Sequence, residues 1–273
     1  METRETLMKN REQNREILVR RDGPLLRIVI DRPAKRNAID KPMYEAMISA
    51  FAKADADEEI RAIVLSGAGG DFTAGNDLED FRRPLDNPQD FPALRFVRAL
   101  ATLQTPLVAA VAGDAIGVGV TMLFHCDLVY ASHGARFKMP FVDLGVIPEA
   151  ASTLLVPQRI GLVKATEFLL LCDSFGASEA LRLGIVNAVA GFDEVEEMAL
   201  DAARRLAAKP RAALAATRRL LRGDTAAVAA RIEEEAALFA AALTMRETRA
   251  RLEAFFAGAP ASDPLAQSSD NLA

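Results

Sequence analysis

The stretch at residues 105–121, TPLVAAVAGDAIGVGVT, limits the possible folds of this chain more than any other. Residues 107–112 are apolar and contain β-branched side chains, which reads as a buried strand. Gly113, Gly117 and Gly119 follow at close spacing, and residues 120–124 then supply the first turns of a helix. Glycines between a strand and a helix let the backbone turn sharply and approach a ligand with no Cβ in the way. The amides at such a helix start lack intrahelical partners and point outward in a positive potential. The turn can therefore receive a phosphate, a carboxylate or the oxyanion of a reacting carbonyl. It can equally serve only close helix–strand packing, and the stretch alone leaves both readings open.

Composition narrows the context. A chain of 273 residues, 51% hydrophobic, can bury a large core. No apolar run reaches the ~18 residues of a membrane span. The N-terminus is charged and lacks an apolar signal core, which points to a cytoplasmic rather than a secreted protein. Cys126 and Cys172 are the two cysteines and sit in apolar sequence, as reduced, buried side chains do. With His125 and His133 they form no familiar ligand spacing, so no metal site is expected. A net charge of −5 without a basic, aromatic-interleaved patch argues against a nucleic-acid partner.

Along the chain, residues 1–15 read as a flexible tail. Residues 17–19 and 25–30 flank Arg21-Asp22-Gly23-Pro24, a hairpin signal. A basic loop follows, Asp31-Arg32-Pro33-Ala34-Lys35-Arg36-Asn37-Ala38, either a solvated connection or a site for an anionic group. Asp40 caps a helix that starts near Lys41-Pro42 and runs to about Asp55, with Met43, Met47 and Phe51 on its inner face. Residues 60–65 form the next buried strand, and a second glycine-rich loop runs from Ser66 to Asp77. It matches neither a P-loop nor a dinucleotide fingerprint. Residues 81–92, with Pro84, Pro88 and Pro92, form a loop over a site. A helix at 93–103, strands at 127–131 and 135–139, and a turn into a helix at 141–152 follow. Glu149 lies there behind Pro148, and a carboxylate at a helix start is often just a dipole partner. A helix at 164–171, a capped helix at 178–184 and a strand at 185–189 complete the core. From about Val195 alanines and charges dominate, with breaks at Pro210 and Gly223, as in a three-helix appendage. Residues 258–273 read as a flexible tail. By pattern alone the core fits a doubly wound α/β sheet.

Five motifs in order then carry a resemblance. They are Asp31-Arg32-Pro33 with Asn37-Ala38; Ala74-Gly75-Asn76-Asp77-Leu78; Gly113 to Gly119; Leu144-Gly145-Val146-Ile147-Pro148-Glu149-Ala150; and Ala177-Ser178-Glu179-Ala180 with Leu183-Gly184-Ile185-Val186. Together they resemble the crotonase (enoyl-CoA hydratase/isomerase) superfamily over roughly residues 15–255. The resemblance implies an α/β fold, a ClpP/crotonase-type spiral of ββα units with an α-helical C-terminal region. This replaces the doubly wound sheet. The spiral core would span 16–195 and the helical oligomerisation region 196–257, building a homotrimer or a hexamer from two trimers. It also implies an acyl-CoA substrate, with coenzyme A as part of the substrate and no separate cofactor. A thioester enolate would be held by the N–H groups of Asn76 and Val118. Ala34, Lys35, Arg36 and Ala38 match the family's adenine-nucleotide contacts. Ala74, Asp77, Leu78, Ile116, Gly117 and Phe141 would shape the path of the pantetheine and acyl chain.

The reaction follows from what is missing. Hydratases of this family carry glutamates at the positions of Thr121 and Phe141, and neither residue titrates usefully. The remaining carboxylate, Glu149, resembles the single catalytic glutamate of Δ3,Δ2-enoyl-CoA isomerases. The expectation is an isomerase with Glu149, Asn76 and Val118 as catalytic residues. Another crotonase reaction, such as hydration or ring-epoxide isomerisation, and a non-catalytic acyl-CoA- or RNA-binding relative are the alternatives. After Phe255-Phe256 no Lys or Arg follows to meet CoA phosphates, which leaves Arg249 or Arg251 as substitutes.

Overall fold

The computed structural model describes residues 16–81 and 91–257, so the two expected tails and most of the loop at 81–92 lie outside the described residues. The chain opens with the expected hairpin. Strand β1 (Ile17–Asp22) pairs antiparallel with β2 (Leu25–Ile30). Helix α1 (Lys41–Ala56) starts where Asp40 accepts a hydrogen bond from the Met43 N–H at 3.1 Å, and Met43, Tyr44, Met47 and Phe51 are all buried along it. Next come β3 (Ala62–Gly67), α2 (Pro92–Thr102), β4 (Leu107–Val111), β5 (Asp114–Ile116) and the one-turn α3 (Val118–Thr121). Strands β6 (Leu128–Ser132) and β7 (Arg136–Lys138) lead to α4 (Ser152–Ile160), α5 (Leu162–Thr166), β8 (Phe175–Gly176), α6 (Ala177–Arg182) and β9 (Ala188–Ala190).

The strands form two sheets. The larger has the order β1-β2-β3-β4-β6-β9, parallel from β2 onward; the smaller has the order β5-β7-β8. Successive ββα turns place one strand in each sheet, as β4/β5 and β6/β7 do, and the chain advances across the larger sheet without reversing. A doubly wound sheet reverses at a switch point, so the pattern-only expectation gives way to the spiral. The period-2 alternation of strands gives the larger sheet two apolar faces. Ile28, Ile63, Leu65, Leu107 and Ala109 face the main core. Leu25, Ala62, Val64, Val108 and Ala110 face Ala199, Leu200 and Ala203 on helix α7 (Val195–Ala207).

Helices α8 (Arg211–Arg222), α9 (Thr225–Leu243) and α10 (Arg246–Phe256) follow. The expected breaks at Pro210 and Gly223 are present, but Thr244-Met245 adds another, giving four helices rather than three. That break was hidden because it carries neither Gly nor Pro. The first of the four covers the sheet, whereas α9 and α10 return over the core. Thr248 donates to the Gly145 carbonyl at 2.8 Å, and the Phe239 ring meets Phe81 edge-on at 5.6 Å. Two smaller expectations also shift. Helix α6 begins at Ala177 without a side-chain cap, and Ile185 and Val186 are buried in the turn before β9 rather than in the strand.

Candidate active site

The first wall of the site is the loop after β3. Asn37, fully buried at φ 59°, organises it: its side chain accepts from the Arg32 N–H and donates to the carbonyls of Ala68 and Asp71. A short side chain that bonds its own neighbourhood tolerates this left-handed backbone. Thr73 donates to the Asn37 carbonyl at 2.6 Å, and the Gly75 N–H donates back to the Thr73 hydroxyl at 3.0 Å. Gly75 sits at φ 88°, where a Cβ would lie 2.6 Å from the Ile116 carbonyl oxygen. Only glycine lets this loop touch the second wall.

That second wall is the glycine-rich stretch at residues 105–121. The chain leaves β5 through Gly117, at φ 57° and ψ −118°, a region closed to other residues, and enters α3 directly. The N–H of Gly117 donates to the Lys138 carbonyl at 2.8 Å. Among the described residues no acceptor takes the N–H of Val118, the first helical residue, or that of Asn76. Tyr44, buried beneath, donates its hydroxyl to the Asn76 side-chain oxygen at 2.6 Å.

Between the walls lies a cleft of about 1260 Å³ including its mouth, lined among others by Ala74, Asn76, Leu78, Ile116, Gly117 and Phe141. Without the open mouth its volume is about 330 Å³, at the lower end of the roughly 300–1,000 Å³ of a small-molecule pocket. Phe239, Leu243, Leu252 and Phe255 close it from α9 and α10, so the chain covers its own site. Asn76, Phe81 and Phe239 also line a second, much smaller cavity of about 40 Å³, whose other walls include Phe91, Leu94, Val97, Ile232 and Glu149.

Glu149 is the carboxyl group of that inner cavity. It does not sit in the first turn of α4. Ala150 and Ala151, at φ 63° and 53°, intervene, so the helix-dipole reading of Glu149 falls away. Left-handed alanines are unfavourable, and the corner is held from outside. His125 Nε2 donates to the Ala150 carbonyl at 2.8 Å, and burial lowers the His125 pKa to about 4, keeping the ring neutral. The Thr121 hydroxyl donates to Glu149 Oε1 at 2.9 Å. Burial pushes the Glu149 carboxyl up to about 7; the Thr121 bond opposes this and the nearby Glu235 charge adds to it. The Tyr44 hydroxyl is held well above its ordinary range by burial first and by the charge of Glu149 second, so it remains a donor. A carboxyl poised near neutrality is suited to taking and returning a proton.

The structure thus gathers most of the expected residues. Asn76 joins the two cavities, Glu149 lines the inner one, and Val118 lies buried in the adjoining turn. Asp77 does not line the cleft; its carboxylate pairs with Arg32 at 2.8 Å. Ala34 and Lys35 are exposed and Ala38 is half-buried, outside the cleft's walls. The Arg36 guanidinium is taken up by Asp71 and Asp114. Arg251 lines the cleft, while its guanidinium bonds Glu247 and the Asp143 carbonyl. Sequence reasoning missed Tyr44 and the role of Thr121. Tyr44 stood in plain view as the one aromatic hydroxyl among the apolar residues of α1. Thr121 was counted only for the acid it lacks. Nothing in the sequence pointed to Phe239 or Leu252, which reach the site through the tertiary fold.

Residues 20–258 match the enoyl-CoA hydratase/isomerase family model. The chain superimposes on a crystal structure of an enoyl-CoA hydratase/isomerase from Pseudoalteromonas atlantica T6c with a TM-score of 0.86 and 37% identity, covering 90% of this chain and 98% of that one. The protein therefore belongs to the enoyl-CoA hydratase/isomerase, or crotonase, family. It is 38% identical over 184 residues to enoyl-CoA delta isomerase 2 of Rattus norvegicus, 65% of this chain and 47% of that protein, so the match spans about half the relative's length. It is also 33% identical over 195 residues to 1,2-epoxyphenylacetyl-CoA isomerase of Escherichia coli (strain K12), 68% of this chain and 74% of that one. Among the described residues no helix is long and apolar enough to cross a membrane.

Proposed function

We propose that the protein shifts the double bond of a 3-enoyl-CoA to the 2-position through a thioester enolate. One observation carries this reading: Glu149 is the one carboxyl lining the inner cavity among the described residues, raised to about 7, while the hydratase position next to it holds Thr121, bonded to Glu149 itself. The thioester carbonyl would lie between the amides of Asn76 and Val118, which have no acceptor among the described residues. Glu149 removes a C2 proton, and the C–H electrons enter a dienolate whose negative charge rests on the carbonyl oxygen. The carbonyl then re-forms, the electrons move to a C2–C3 double bond, and the former C3–C4 π pair takes the proton back from Glu149 at C4. One base suffices because both carbons belong to one allylic system. Two preorganised amides stabilise the enolate, each worth on the order of 3 kcal/mol. The Lys35–Arg36 loop and Arg251 remain the candidates for the nucleotide end.

The assay is turnover of 3-hexenoyl-CoA and of crotonyl-CoA by the purified protein and by Glu149→Gln. Isomerisation lost in the variant supports the reading; hydration of crotonyl-CoA without isomerisation sinks it. The likeness to an epoxide isomerase favours ring-epoxide opening as the second reading, separated by turnover of an aryl-epoxide CoA thioester alone. The trimer or hexamer is likewise our reading, supported by exposed Leu162, Val163, Leu220 and Leu221, and sedimentation tests it.

A further inference from the structure

Glu235 is an anomaly on α9. Its neighbours Ile232, Ala236 and Phe239 line the inner cavity, yet Glu235 is itself only 2% exposed. A buried carboxylate is costly unless its oxygens are satisfied. Here Oε1 accepts from both the N–H and the hydroxyl of Thr153, at 2.9 and 2.6 Å, while Oε2 is buried without a hydrogen-bond partner among the described residues. Thr153 lies in the first turn of α4, directly after the corner that follows Glu149. The residue in the cap position, Ala151, offers no side chain. Glu235 therefore does from another helix what an N-cap residue does locally.

Capping alone does not require a charge, since a glutamine oxygen would accept the same bonds. The charge acts elsewhere. Of the groups around it, Arg231 donates to the Thr153 hydroxyl at 2.9 Å and pairs with Glu234 at 3.0 Å. Arg98 of α2 is taken up by Glu233, and Arg251 of α10 by Glu247. From the loop the group that feels Glu235 is Glu149.

We propose that Glu235 is a positioning residue for proton transfer: it fixes the corner after Glu149 from the C-terminal helices and supplies the negative charge against which Glu149 takes and returns its proton. This rests on the reading of Glu149 as the base. It makes the helical region part of the site's chemistry as well as its cover. The physical basis is that like charges in a desolvated pocket oppose joint ionisation. Burial also raises Glu235, with its bonds to Thr153 and the Ala151 backbone and the charge of Arg231 pulling it back down.

The test compares wild type, Glu235→Gln, Glu149→Gln and Arg231→Gln. Two readouts apply: the pH dependence of kcat/KM on 3-hexenoyl-CoA, and carboxyl carbon NMR titration of Glu149, assigned by its loss in Glu149→Gln. Glu235→Gln should move the Glu149 titration and the acid limb to lower pH by about half a unit or more. Arg231→Gln, at a partly exposed side chain, should move both upward. A purely structural role would lower kcat without moving either midpoint. Folded variants whose titrations and limbs coincide with wild type overturn the inference. Full activity in Glu149→Gln instead overturns the assignment of the base, and the two failures are thus distinct.

Discussion

On either side of the glycine turn the molecule treats two acidic side-chain clusters oppositely. Near the start of β5, Asp114 receives Arg36 and two bonds from Arg136 at 2.8 Å, and Asp71 receives Arg36 at 2.9 Å and the Asp114 N–H at 3.1 Å. Burial would raise the Asp71 carboxyl, but these donors win and hold it below its ordinary value. Glu149 has a single hydroxyl and no salt bridge among the described residues, so burial wins and the carboxyl rises to about 7. Both clusters hang on the same stretch, since Asp114 and Thr121 bracket the glycine turn. What differs is whether cations are supplied. The first cluster clamps the turn between the sheets; the second is left uncompensated, as a group that must change protonation has to be.

The largest test of this contrast is Glu149→Gln. Removing a general base costs typically 10²- to 10⁴-fold in turnover, and we expect that loss in kcat on 3-hexenoyl-CoA with the circular dichroism spectrum unchanged. In wild type kcat/KM should fall about tenfold per pH unit below the Glu149 midpoint near 7. A flat profile from pH 5 to 8 would place the base elsewhere.

The same variant should gain stability. The folded protein keeps the Glu149 proton up to about pH 7, whereas the unfolded chain releases it near the ordinary value of 4.5. A raised acid pKa means the native state binds more protons than the unfolded state across that window. Wild-type stability therefore declines as pH climbs from 4.5 through 7. Glu149→Gln escapes this, so it should be more stable by up to about 3 kcal/mol above pH 7 and by nothing near pH 4.5. Denaturant titrations at pH 5 and 8 measure the difference. A variant less stable than wild type at pH 8 would show that the carboxyl is compensated after all.

Asp114→Asn probes the other side. It leaves two guanidinium groups without their shared anion, but both reach solvent, so the loss should be about 1 kcal/mol rather than the 3–5 kcal/mol of a fully buried pair. The pH profile of turnover should not move. A displaced acid limb would mean that the clamp and the site are electrostatically one.

Much of this was legible in the sequence for a physical reason. Strand–glycine–helix junctions such as residues 107–121 encode local backbone needs, and the needs of Gly75 and Gly117 are met by no other residue. The motif set that resembled the crotonase family is a list of such junctions, which is why the spiral was recoverable although the pattern of strands and helices suggested a doubly wound sheet. Contacts made by ordinary residues at long range were not legible. Arg32 with Asp77 and Glu235 with Thr153 join positions far apart in sequence, and Phe239 meets Phe81 only because α9 folds back. The break at Thr244-Met245 carries no punctuating residue, so the helix count came out one short.

Thr121→Val makes the smallest change and sharpens the comparison most. Valine keeps the shape and removes one hydroxyl, the one side-chain donor to Glu149 among the described residues. A hydrogen bond to a charged group contributes about 1.5–3 kcal/mol at most, and part of it survives in the neutral carboxyl. The Glu149 midpoint should therefore rise from about 7 by roughly half a unit to one unit. At pH 7 kcat/KM should fall only a few-fold, and at pH 9 the variant should approach wild type, because there the base is ionised in both. A loss that persists at pH 9 would mean that Thr121 orients the carboxylate rather than tuning it. A loss that vanishes would mean that the glycine turn, having no acid of its own at position 121, sets the pH at which Glu149 works.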